Sequence, residues 1–135
     1  MYTTMSKSTY SKAFNTLFID FLNDIQVIFP EDKNIKLAKT SLETIRKANP
    51  SIVIKTWDKY VNKKYGEVIE NGDLTYFIEK DYADDLQKLS NSGDIVKAID
   101  TLRGPIREMS PTNQQHTLEY LQKLCKLSAA YVNAH

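Results

Sequence analysis

The sequence predicts an all-α protein, a single-domain bundle of about six to seven helices with the long N- and C-terminal helices packed at the centre. Three observations carry this. From Tyr10 to Phe29 the large apolar side chains fall at Tyr10, Phe14, Leu17, Phe18, Phe21, Leu22, Ile25, Ile28 and Phe29, the three-and-four spacing of one helix face. Only 4 Gly and 4 Pro occur in 135 residues, few enough to favour long helices over many short strands. Proline follows Asn49 and Ser110, where it marks a helix's first residue, because its missing amide costs nothing there. Residues 1–8 read as a flexible N-terminal segment and 9–135 as one helical domain.

The first helix is expected to begin near Ser8 or Thr9, whose hydroxyls can accept from the orphan amides of the first turn, and to stop at Pro30. With Ile19 and Val27 off its main face it is apolar around more than half its girth, so it should be covered on two sides. Glu31, Asp32 and Asn34 offer caps for a second helix with the narrow stripe Ile35, Ala38, Leu42 and Ile45. After Asn49-Pro50 a third helix turns Val53, Trp57, Tyr60 and Val61 inward, while Lys55, Lys59 and Lys63 recur every four residues on its other side. Gly66 and Asn71-Gly72-Asp73 bracket an expected loop around Glu67 to Glu70, with room in it for one helical turn. Asp73 should cap a short helix over Leu74 to Lys80. A strand is the rival there, disfavoured because no second strand is evident to pair with it.

A further segment is expected at Tyr82 to Leu89, then a loop at Ser90 to Gly93 and a cap at Asp94. Ile95, Ile99, Leu102, Ile106 and Met109 form the next stripe, interrupted at Gly104-Pro105, where the helix must kink or end and restart. The last helix, opened by Ser110-Pro111, has two apolar ridges, one with Leu118, Leu121, Cys125 and Val132, the other with Tyr120, Leu124, Leu127 and Tyr131. It should neighbour the first helix or offer a partner surface.

Composition bounds the function. Hydrophobic residues make up 41% and charged residues 26%, which suits a soluble globular protein. No apolar run approaches the roughly 18–20 residues of a membrane span, and the polar start has no signal-peptide core. The single cysteine, Cys125, cannot form an internal disulfide. Net charge is +1, unevenly placed: nine Lys and Arg against two carboxylates over residues 33–64, and seven carboxylates against one lysine over 67–86. Such segregation either steers a partner or lets the two stretches face each other in the fold.

Catalytic patterns are absent. His116 and His135 are the only histidines, in no metal-ligand spacing, and the glycines stand alone at 66, 72, 93 and 104, so no phosphate-binding loop exists. We therefore expect no catalytic residues, no metal ligands, no cofactor and no small-molecule substrate. Cys125 reads as buried filler. The acidic group Glu79, Asp81, Asp84 and Asp85 could share a divalent ion, though carboxylates favoured by a helix N-terminus are the simpler account. Lys36, Lys39, Lys55, Lys59, Lys63 and Lys64 are candidate contacts for phosphate or an acidic partner, against a near-neutral net charge that argues for an ordinary solvated face. Arg103 and Arg107, one turn apart, could clamp an acidic segment, more economically the internal one than a partner's. Trp57, Tyr60, Tyr65, Tyr76 and Phe77 read as core rather than as a stacking platform.

The runs FLNDIQVIFPED (21–32), KANPSIVIKTW (47–57), NGDLTYFIEKDY (71–82) and LRGPIREMSPTNQQHTLEYLQKLCKLS (102–128) resemble a group of small uncharacterised helical proteins of nucleocytoplasmic large DNA viruses, the giant and algal viruses. The likeness spans about residues 14–128 and departs at the Ser/Thr-rich start. That family has no assigned activity, so no site residue follows from it. It implies a setting in the host cytoplasm, the virus factory or the virion. The expectation is a non-enzymatic viral structural or interaction protein, a minor virion or assembly component working through a protein partner or self-association. The alternative is a nucleic-acid-associated accessory protein using the basic surface of residues 33–64.

Overall fold

The computed structural model describes residues 6–79 and 93–134. The expected segment at Tyr82 to Leu89, its neighbouring loop and His135 lie outside them. Among the described residues eight α-helices and one π-turn occur in order: α1 Lys7–Ile28, α2 Lys33–Ala48, α3 Pro50–Trp57, a π-turn Asp58–Asn62 leading into α4 Lys63–Glu70, α5 Thr75–Glu79, α6 Gly93–Thr101, α7 Arg103–Arg107 and α8 Pro111–Asn133. With Pro50–Glu70 counted as one rod, five helices of eight or more residues pack together, fewer than the six to seven expected. The all-α class holds, and no strand occurs among the described residues.

Local chemistry accounts for most boundaries. The cap of α1 is Ser6, not Ser8 or Thr9: its hydroxyl accepts the Thr9 amide at 3.2 Å, so the helix starts two residues earlier than expected. Asp32 caps α2 through the amides of Asn34 and Ile35 at 2.9 and 3.1 Å. Asp73 accepts from Thr75 N at 2.8 Å to open α5, after Gly72 turns the chain at φ +92°. The helix ends and restarts just before Gly104-Pro105, α6 closing at Thr101 and α7 opening at Arg103, which leaves the proline in the first turn of α7.

One correction is larger. The stretch read as a loop after Gly66 is helix α4, which buries Tyr65 and Ile69. Glycine weakens a helix by about 1 kcal/mol against alanine. Here it makes room instead, since a Cβ on Gly66 would lie 2.4 Å from Asn62 Oδ1.

α1 and α8 run antiparallel along each other, the most extensive pairing in the molecule; α2 lies between α1 and α6, and α3 packs on both α1 and α2. At the centre, Phe14, Phe18 and Trp57 meet edge to face, with Phe18 and Trp57 centroids 5.3 Å apart. Each such pair adds about 0.5–1.5 kcal/mol beyond burial. Trp57 and Phe77 are fully buried and Tyr60 and Tyr65 nearly so, which makes these four aromatics core. Buried Ser11 and Asn15 donate to the Pro50 carbonyl at 2.8 and 2.9 Å, tying α1 to the head of α3.

Side chains also finish several helix C-termini, where the last carbonyls lack intrahelical donors. Gln26 Nε2 donates to Phe29 O at 2.7 Å, beyond α1. Gln122 Nε2 donates to Ile69 O and Glu70 O at the end of α4, and Gln114 Nε2 to Ile106 O in α7.

Candidate functional site

Where α1 ends and α8 begins, the two helices part and leave a cleft of about 250 Å³. Phe21, Ile25, Ile28 and Met109 supply its apolar lining, and Thr117 closes it from α8. Phe21 stacks on Tyr120 with centroids 5.0 Å apart. At the mouth stands Val27, 79% exposed, beside Ile28, 37% exposed. The expectation that α1 is too apolar to be a simple surface helix is met in two ways. Ile19 and Leu17 pack against the core, whereas Val27 stays in water.

The rim is acidic. Asp24 lines it, Asp20 and Glu119 are exposed near Tyr120 and His116, and His116 Nδ1 lies 3.8 Å from Glu119 Oε2. The Tyr120 hydroxyl donates to Asp24 Oδ2. That bond, helped by partial burial and the nearby Asp24 and Asp20 charges, pushes the Tyr120 phenol from 10 up to about 12. Tyr120 therefore stays a neutral donor at ordinary pH and is no general base. The site offers an apolar floor and a phenol held by the exposed carboxylate of Asp24.

The opposite flank of α8 meets the π-turn and α4 in a larger, polar seam of about 530 Å³ lined by Asn62, Glu67, Glu70, Gln122, Cys125 and Lys126. The turn is wide because Lys63 N reaches back five residues to Asp58 O, inserting one residue into the helix. Asp58 is buried at its start, accepting from Asn62 Nδ2 at 2.9 Å, with Lys63 Nζ 3.8 Å away. Burial pushes the Cys125 thiol up to about 11, against the pull of the nearby Trp57 indole N–H. A thiol so placed is a poor nucleophile, in line with its reading as filler.

The π-turn was not foreseen, yet a signal for it existed. Trp57, Val61, Tyr65 and Ile69 are all buried at steps of four. On a regular α-helix such a repeat drifts by about 40° per step, and a widened turn takes the drift back. The file Lys55, Lys59 and Lys63 has the same spacing and stays exposed for the same reason.

The candidate lysines divide. Lys59 and Lys64 lie 5.2 and 5.6 Å from the Tyr60 ring centroid, and Lys63 turns toward Asp58, so these three gather at the π-turn. Lys55 is exposed one turn earlier; Lys36 and Lys39 belong to α2. Among the described residues Arg103 and Arg107 converge on the backbone of α5, and the acidic segment they were expected to clamp lies outside those residues. Arg103 Nε donates to Phe77 O and Ile78 O at 3.1 and 2.8 Å, Arg107 Nη2 to Ile78 O at 2.9 Å, and Arg103 Nη1 pairs with Asp100 at 2.9 Å. Asp81, Asp84, Asp85 and the side chains of Glu79 and Tyr76 lie outside the described residues. Among the described residues no group of three His, Cys, Asp or Glu could hold a metal ion, and no helix is long and apolar enough to cross a membrane.

No protein-family model, curated protein or solved structure matches the chain.

Proposed function

We propose that this is a non-enzymatic interaction protein whose α1/α8 cleft receives one large apolar side chain from a protein segment that also carries lysine or arginine. The carrying observation is the pairing of an apolar floor with exposed Val27 and the rim carboxylate Asp24, with Asp20 and Glu119 exposed nearby. Small-molecule pockets usually span about 300–1,000 Å³ and bury most of their ligand. At about 250 Å³ and open to solvent, the cleft is sized for a single anchor of the kind that dominates protein interfaces. The rim then selects for a neighbouring cation. The viral assembly setting is part of this proposal and rests on the resemblance of residues 14–128.

The rival, nucleic-acid contact through the lysines of residues 33–64, has less behind it. Lys63 faces Asp58, and Lys59 and Lys64 lie against Tyr60. The test is an amide chemical-shift titration with a short blocked peptide holding leucine between two lysines. The Ile25, Met109 and Thr117 amides should move, and a serine-for-leucine peptide should leave them in place. No movement with the leucine peptide overturns the reading.

A further inference from the structure

The described residues hold a second unusual apolar group, on a different pair of helices. Leu37 is 65% exposed at the joint of α2 and α6, where Asn34, Ser41 and Lys97 lie around it. Lys33 stands one helical turn before it and Lys97 lies across the joint, so Leu37 and two exposed lysines share one surface. Among the described residues no carboxylate lines this joint. An exposed leucine alone needs no explanation. What needs one is that the same chain carries its counterpart: a cleft sized for one side chain, apolar within and acidic at the rim.

Resting on the reading of the cleft given above, we propose that its occupant is Leu37 of a second copy of this chain, with Lys33 of that copy meeting Asp24 at the rim. Knob and socket lie on different helix pairs, α2/α6 and α1/α8. The contact is therefore heterologous and adds copies head to tail, into a ring or an open chain, rather than closing a two-fold dimer. In this arrangement the basic start of α2 in one copy faces the carboxylate at the cleft of the next. Opposite charges speed encounter and are screened as salt rises.

Static light scattering across micromolar to millimolar concentrations of the full chain tests this. The mean mass should climb past that of a dimer at low salt and fall as salt is added. Leu37→Ser removes a buried leucine from the contact and should weaken association roughly ten- to a hundredfold. Asp24→Lys should weaken it at the rim, with Val27→Arg as a second block at the mouth that leaves the Tyr120 bond alone. Mixing Leu37→Ser with Asp24→Lys is the sharpest arm. One retains a sound socket and the other a sound knob, so the mixture should form a one-to-one heterodimer and grow no further. A chain that keeps the mass of one copy at millimolar concentration and low salt overturns the proposal, as does association that Leu37→Ser leaves unchanged. In either case binding of the leucine–lysine peptide would still uphold the cleft as a docking site, so the two readings fail separately.

Discussion

The two flanks of α8 solve opposite problems. Toward α1 it leaves an apolar floor open to water, and the polar anchor beside it, Tyr120 to Asp24, sits at the surface. Toward α4 it buries a carboxylate, Asp58, and an indole N–H, and satisfies the carboxylate with Asn62 and Lys63. Buried polar groups stabilise little but fix one arrangement when they are satisfied. Exposed apolar groups do the reverse, costing solvation until something covers them. The polar flank is thus architecture, holding the rod in register against α8. The apolar flank is free to act outward. If so, substitutions on the first should alter stability and leave association alone, and those on the second should do the opposite.

Asp58→Ala should have the largest effect. It strips the charged acceptor from the half-buried Asn62 amide and the ion partner from Lys63, a loss of about 1–2 kcal/mol. The figure stays below that for a fully buried pair because Lys63 is 67% exposed. Urea unfolding would measure it. A loss under a few tenths of a kcal/mol would mean the Asp58–Asn62 contact holds nothing in place.

Gly66→Ala comes next and separates two effects of similar size. Alanine gains about 1 kcal/mol of helix propensity. Its Cβ, however, would lie 2.4 Å from Asn62 Oδ1, forcing that amide off Asp58. We expect the single variant to be neutral or destabilised by up to about 1 kcal/mol. In an Asn62→Ala background the clash disappears, and the same change should stabilise by about 1 kcal/mol. Equal effects in both backgrounds would mean the two sites do not interact.

This pair also shows how far the sequence could be read. Caps and stripes are local, so Asp32, Asp73, Ser110 and the series from Ile95 to Met109 were legible directly, and with them the all-α class. Gly66 was misread because its reason is a contact with Asn62, and composition alone makes an isolated glycine look like a break. Asp58 was passed over because a carboxylate between Trp57 and Lys59 looks solvated until the widened turn rolls it inward. The cleft was half legible: the excess apolar girth of α1 was visible, but only packing separates Val27, left in water, from Ile19, which is covered. Arg103 and Arg107 were seen as a pair. Their carbonyl targets at Phe77 and Ile78 carry no side-chain signature, so nothing in the sequence could name them.

The smallest effect separates the flanks by pH. Both Tyr120 and Cys125 hold their protons more tightly in the folded chain, Tyr120 chiefly through Asp24 and Cys125 chiefly through burial. A group whose folded pKa is raised contributes stability that is present below its unfolded pKa and lost as pH climbs through the folded value. For Cys125 that window runs from 9 to about 11, and for Tyr120 from 10 to about 12. Unfolding midpoints taken from pH 8 to 12 should therefore decline across both. Tyr120→Phe should cost no more than about 1 kcal/mol at pH 8, since the bond is solvent-exposed. It should flatten the upper part of the decline and leave the lower part. Cys125→Ala should do the converse. If Tyr120→Phe left the decline above pH 10 unchanged, the phenol would not be held by Asp24, and the acidic rim would lose its one fixed point.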